Sequence, residues 1–580
     1  MSYSNLHFNG SDTVKSQRSV KSPFLFSSRQ NKLPRNAFDL SEHSIFSSPA
    51  GLLLPTFCKE VIPGDYMELD VSNFTRTQPL NTAAFARMRE VTDFFFVPYD
   101  LLWSGFKSFI TGVKDFNSSI LDPTTFSTVP SIPYGAFVYQ LSASDWSKKD
   151  SHGVVYASYY NRLFDLLGYP HAVGSEAGAS STSIPNLKLP YLDSVVGMTP
   201  LSPFRLLAFN KIWSDFFRLS DYEPLDPIIY NVDNNFNGFF TPVNTTTPDG
   251  NYHWAHSNIL DPRYVPWLKD RMTALKPDRY LNTGVSSVGA DIGSHIGTFG
   301  DPSNGEPSIA SLPVNANDLR SLLAVDKLSR ISMLAPKYFS QQVLSHYGAH
   351  VDSCESCSTK FLGSFASTLQ IGEVVCTANG NTGQTQSDEP SQLGQIAGRG
   401  ISSVSGHKIK FQSNQFGIVM GIHYFLPISE YNNEGIDDFN LKTYRTDFFQ
   451  PEFDNLGLQP LRKMVVDVVT DSGQTVLGYQ SRYSEYKSAI DKIHGEFVYG
   501  PSSFGGHDDN KQGSLCNWCM PRTIPDSGSV KDSLLVSPSI TDPIMPLRFD
   551  GLQTTDPFLC HYFFDCKMTR SMSVNSLPTF

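Results

Sequence analysis

A short apolar run, Phe94-Phe95-Phe96-Val97, is stopped by Pro98, and a longer one from Ile418 to Leu426 is stopped by Pro427. Runs of this length fit strands buried on both faces. Other segments alternate instead. Met67, Leu69 and Val71 follow the turn signal Pro63-Gly64-Asp65, and Ile409 and Phe411 interleave with Lys408 and Lys410, as half-buried strands do. Met464 to Val469 and Phe558 to Cys566 are further strand candidates. A parallel α/β fold needs a helix between successive strands, and that rhythm is missing. The chain reads as mainly β, with its strands far apart in sequence.

Two helices are expected between them. The first has Ser202 as cap and Pro203 at the first helical position, with Leu206, Phe209, Trp213, Phe216 and Phe217 forming one apolar face. The second runs from Asn317 through Leu322, Val325, Leu328 and Ile331, is broken at Pro336, resumes over Tyr338 to Tyr347 and ends at Gly348. The stretches 111–200 and 227–316 are rich in Ser, Thr, Asn, Gly and Pro without a steady period. Loops that long generally bind something or form surface features.

Composition limits the rest. Charged residues are 17% of the 580, against about 25% in an ordinary soluble chain, while aromatics reach 13%. That balance excludes disorder over most of the chain and suits a surface covered by protein partners. The net charge is −11, yet residues 1–36 hold Lys15, Arg18, Lys21, Arg29, Lys32 and Arg35 against Asp12 alone, a net of +5 that leaves −16 on the remainder. A flexible basic arm is expected, its six cations being candidate contacts to nucleic-acid phosphates. The plainer reading is a solvated tail or a strap across a neighbour. No apolar run reaches the ~18 residues of a membrane helix, Met1 to Gly10 lacks a signal-peptide core, and the eight cysteines read as mostly free thiols of a reducing cytoplasm. A soluble, non-secreted protein without a membrane partner is expected.

Catalytic signatures are not found: no phosphate-binding Gly-x4-Gly-Lys loop, no His-Glu-x-x-His and no Gly-x-Ser-x-Gly. No cofactor is expected. Three patterns resemble metal sites. Asp233, Asn235 and Asn237, with Gly238, match the start of a calcium loop, but the twelfth position is Asn244 instead of glutamate. His346, His350, Cys354 and Cys357 are all zinc-ligand types, although Gly348 interrupts the helix between the histidines. Cys516 and Cys519 are a second pair able to join Cys354 and Cys357, with no spacing constraint to support it. Polar turns and buried thiols are the ordinary reading of all three.

Several ordered blocks carry a family resemblance. They are Arg35-Asn36-Ala37-Phe38-Asp39-Leu40-Ser41, Gly51-Leu52-Leu53-Leu54-Pro55, Glu60-Val61-Ile62-Pro63-Gly64-Asp65, Arg76, and Phe94 to Pro98 followed by Leu102-Trp103. Next come Pro203-Phe204-Arg205 leading to Ile212 through Arg218, Asn317-Asp318-Leu319-Arg320 and His346-Tyr347-Gly348. Phe453 through Gln459, Gly478 through Lys487, His494 through Phe497, Trp518 with Pro521-Arg522, and Met572 to Pro578 complete the series. In this order they resemble the major capsid protein of the Microviridae, small icosahedral phages with single-stranded DNA, and more closely its gokushovirus-like and Bacteroidetes-associated groups. Little matches in 111–200 and 227–316.

The resemblance implies an eight-stranded antiparallel jelly roll, a common viral capsid architecture, with long inter-strand insertions containing a few helices. It implies a structural, non-enzymatic subunit of a sixty-copy T=1 icosahedral capsid around circular single-stranded DNA. Internal scaffolding protein is the implied assembly partner, the virion the final location and the host cytoplasm the place of assembly. On that frame the chain divides into a basic arm (1–36), first strands (37–110), an insertion with a helix at about 202–218 (111–226), a variable insertion (227–316), a helical segment (317–348) and the remaining strands with the C-terminal segment (349–580). The arm is expected inside the shell, with Phe24 and Phe26 as stacking platforms for DNA. The 227–316 insertion is the candidate exterior protrusion and host-receptor contact. Trp103, Trp213 and Phe217 are expected in the core or at contacts between copies. The rival reading is a glycan-binding or hydrolytic protein on the same scaffold.

Overall fold

A computed structural model describes residues 35–80, 84–111, 129–133, 150–154, 156–169, 200–234, 240–242, 252–254, 259–277, short pieces of 320–332, 339–351, 359–375, 396–404, 408–432, 435–466, 476–497, 530–542, 544–545, 548–549, 552–553 and 556–574. The strands of the large sheet are β1 (Asn36–Asp39), β2 (Glu42–Ser48), β3 (Leu54–Val61), β4 (Tyr66–Thr77), β5 (Met88–Pro98), β6 (Lys360–Val375), β7 (Ile396–Val404), β8 (Lys408–Gln412), β9 (Gly417–Pro427) and β10 (Phe558–Arg570). Every pairing among them is antiparallel. Their order is β1-β10-β4-β7-β6-β5-β9-β3, with β2 also on β10 and β8 also on β4.

β6 is where the sheet folds over on itself. Lys360 to Leu369 pair with β5, whereas Gln370 to Val375 pair with β7. The two halves close on a shared core of Phe57, Leu69, Val71, Phe94, Phe96, Phe411, Phe425, Phe558 and Phe564. Rings meet across it: Phe425 stacks on Phe558 with centroids 3.9 Å apart, and Phe57 lies 5.0 Å from Phe564. This is the sandwich of a jelly roll.

The two halves differ as their sequences require. β4 alternates from Met67 to Thr77, with odd positions buried while Ser72, Phe74 and Arg76 are exposed, so one face is open. β9 is buried at every residue, and β5 at all but Arg89. Their second face carries α1 (Tyr156–Leu167) and α2 (Phe204–Ile212), with segments at 227–232 and 259–267, in a separate apolar cluster. The expectation of strands buried on both faces is met by the insertions themselves.

Three local expectations are corrected. Pro203 is the cap of α2 instead of its first residue, and the helix continues as a π-helical turn over Trp213–Phe217. α2 is also buried on every side, Asn210 and Lys211 included, while Phe216 stays 42% exposed. The reason is polar pairing: Lys211 Nζ meets Asp215 Oδ1 at 3.0 Å, and Arg263 reaches Asn210 Oδ1 at 3.2 Å while lying 3.8 Å over the Trp213 ring. Third, Met464 and Val465 belong to a 3-10 turn, Lys463–Val465, next to a strand at Leu458–Arg462, while 467–469 of the expected strand lie outside the described residues. The helix α3 (Phe339–Tyr347) ends as expected, with Gly348 at φ +68° donating its amide to Leu344 O at 2.9 Å.

Gly51 joins the insertions to the sheet. Its φ is +73°, its amide donates to Phe425 O at 3.0 Å and its carbonyl accepts from Val265 at 2.8 Å. A Cβ there would stand 2.4 Å from Val536 O. Gly51→Ala is therefore expected to cost about 2–4 kcal/mol through left-handed strain and overpacking together. Urea denaturation should show the lowered midpoint, and limited proteolysis should open the 530–536 segment first.

Candidate functional site: the assembly surfaces

Two of the ordered sequence blocks, Phe453 to Gln459 and Gly478 to Lys487, fold together. Leu458–Arg462 pairs antiparallel with Val476–Ser481, and a short helix, Ser484–Lys487, follows. Tyr483 organises the cluster: it is 2% exposed and adopts φ +57°. Its amide donates to Gln459 Oε1 at 3.1 Å, and its hydroxyl lies 3.2 Å from Phe448 O. Beneath it Lys442 Nζ meets Glu485 Oε1 at 2.9 Å with both side chains 5% exposed, and Gln459 donates to the other Glu485 oxygen at 2.9 Å. Burial pushes the Glu485 carboxyl up, but the hydrogen bonds from Lys442, its own backbone amide and Gln459 outweigh it and hold it below its ordinary value.

This buried polar frame holds aromatic rings in the open. Phe439 and Phe448 are half exposed, Tyr444 is 73% exposed, and Phe449, Phe453 and Tyr486 are also exposed. The Lys442 ammonium lies 3.8 Å from the Tyr486 centroid and Arg482 lies 5.7 Å from that of Phe453, fixing ring orientation. Solvent gives no reason to order so many rings outward, whereas a protein neighbour does. A second apolar surface is the open face of β2, β4, β7 and β10, where Ile45, Phe74, Ile401 and Leu559 are exposed and Arg76 lies 4.7 Å over Phe74.

The residues singled out from sequence fall differently. Asp233 is exposed in a 3-10 turn, and its carboxylate accepts the Ser104 amide at 2.7 Å, so it ties two loops; Asn235 and Asn237 lie outside the described residues. His346 Nε2 meets Ser332 Oγ at 2.9 Å and His350 is exposed; Cys354, Cys357, Cys516 and Cys519 lie outside the described residues. Of the six basic arm residues Arg35 alone is described, and its guanidinium donates to Gly64 O. That turn is held from the other side by Arg570 Nε, 3.1 Å from the buried Asp65 carboxylate. Trp103 and Phe217 are in the core, with Trp213 partly buried against it. The outward aromatic cluster between Phe439 and Phe453 was missed, although five large rings in fifteen residues were its signal.

An antiparallel jelly-roll sandwich with rigidly framed outward aromatics defines a structural subunit that works through contacts. Comparison with known proteins agrees. A model of the family described as capsid protein (F protein) matches residues 27–145 and 269–580, well over half of the chain. The chain belongs to that family of phage capsid proteins and is a Microviridae major capsid protein, with a structural role in the virion. It is 23% identical over 657 aligned positions to capsid protein VP1 of Chlamydia phage 1, covering 96% of this chain and 98% of that one. It is also 23% identical over 491 positions to capsid protein VP1 of Bdellovibrio phage phiMH2K, covering 77% and 79%.

Proposed function

We propose that sixty copies close into a T=1 icosahedral shell around circular single-stranded DNA, helped by an internal scaffolding protein in the host cytoplasm. The observation that carries this reading is the aromatic cluster at 439–486, ordered by buried ion pairing yet open to solvent. On this reading that cluster meets a neighbouring copy, and the open face around Phe74 and Arg76 turns inward. The basic arm leads into β1, which pairs with the Lys567–Arg570 end of β10 in the same sheet, the far end of that strand from Leu559 and His561, which lie opposite Arg76 and Phe74. Cations and aromatic rings together suit non-specific contact with single-stranded nucleic acid.

Host contact is assigned to a narrower region than the whole 227–316 insertion. Ile229, Tyr230, Val232, Ile259, Leu260, Tyr264, Val265 and Trp267 are buried against the sheet, so removing the whole insertion would take core with it. The part after 277 remains the candidate.

Light scattering on the chain expressed with its phage's scaffolding protein tests the shell. Sixty times 64.4 kDa gives about 3.9 MDa for a closed assembly; a stable folded monomer would overturn the reading. Replacing 280–310 by a short Gly-Ser linker is expected to leave that mass unchanged and abolish adsorption to host cells. Unchanged adsorption, or loss of assembly, would refute the host-contact assignment.

A further inference from the structure

The centre of the sandwich holds a buried polar cluster. Glu90 on β5, His423 on β9 and Cys560 on β10 are 1%, 0% and 2% exposed, and one potential ligand atom from each lies within 4.8 Å of the others. Glu90 Oε1 accepts from Thr75 Oγ1 and Tyr562 Oη, both at 2.6 Å, while Glu90 Oε2 is buried with no hydrogen-bond partner. A buried carboxylate oxygen left without a donor is costly.

We propose that these three side chains bind one zinc ion that ties the two halves of the sandwich together. Sulfur, imidazole nitrogen and carboxylate oxygen are the zinc donor set. The geometry is close to ready: Cys560 Sγ lies 3.9 Å from His423 Nε2, against about 3.6 Å across a tetrahedral zinc with bonds of about 2.3 and 2.0 Å. The outer partner of the histidine is also present. His423 Nδ1 lies 3.2 Å from Tyr562 Oη and 3.3 Å from Thr92 Oγ1, oxygens able to accept its N–H and fix the tautomer that leaves Nε2 for the metal. Charge balances: binding releases the Cys560 thiol proton, and the dication then faces one thiolate and one carboxylate. Three protein ligands leave the fourth position to a small oxygen donor. Because no ligand reaches solvent, the ion enters before the halves close, during folding.

The test uses full-length protein made in zinc-supplemented medium, washed with chelator to strip surface ions and measured by plasma mass spectrometry. One zinc per chain is expected, falling at least tenfold in Cys560→Ser and in His423→Gln. Cys566→Ser, an equally buried thiol on the same strand, and the double change Cys354→Ser with Cys357→Ser should both keep the ion. Refolding wild-type chain with cobalt(II) alone should give thiolate-to-cobalt charge-transfer absorption, which needs no variant to fold. Metal-free wild-type protein with no such absorption overturns the proposal, as does zinc content that survives Cys560→Ser.

Discussion

Phe425→Ala is expected to lower subunit stability by about 3–5 kcal/mol, the usual cost of emptying a buried phenylalanine site. Phe425 is fully buried on β9 and stacks on Phe558 of β10 at 3.9 Å, so the ring bridges the two halves of the folded sheet. It also meets the His423 ring edge-on at 5.1 Å. The surrounding strands are tied by their ladders on both sides and cannot collapse into the space. Phe425→Leu keeps much of the volume and should cost well under half as much. Urea midpoints of the unassembled subunit measure both, and shell yield at host temperature should fall in the same order. Equal midpoints for wild type and Phe425→Ala would show that the halves are not held by this contact.

The fold was legible where burial imposes a period on neighbouring residues. β4 declared itself through Met67, Leu69 and Val71 because one side of it faces solvent. β5 and β9 declared themselves as continuous apolar runs because insertions cover their outer face. α2 was misread for the same physical reason. Lys211 and Asn210 look like a solvent face in isolation, yet the groups that satisfy the helix come from far along the chain: Arg263 on Asn210, and Thr359 donating to Asp215 at 2.9 Å. Periodicity sees only local neighbours. The Gly51 block matched the family by sequence, but that its glycine has Val536 against it follows only from tertiary contact. The central Glu90, His423 and Cys560 cluster was invisible in the same way, since three strands contribute one ligand each.

The assembly surface is the harder case, and its frame yields the second large effect. Lys442→Met is expected to destabilise the 438–487 region by about 3–5 kcal/mol, because it leaves Glu485 as an uncompensated buried charge. The region has its own small core, with Leu461 and Val466 packed on Met272, Leu275 and Tyr431. The barrel should therefore stay folded while hydrogen exchange rises locally and shells fail to form. The double change Lys442→Met with Glu485→Met removes both charges and should recover most of the loss, as apolar replacements of buried pairs generally do. Acid separates the variants further. In wild type the Glu485 carboxyl sits below its ordinary 4.5, so its contribution is complete above that pH and fades as pH falls through the folded value. In Lys442→Met only burial and weaker hydrogen bonds act, the carboxyl moves up, and lowering the pH protonates it in the folded state and relieves the strain. The stability gap between the two proteins should therefore narrow on acidification. A gap that stays constant from pH 7 to pH 4 would mean that Glu485 is not the charge Lys442 neutralises.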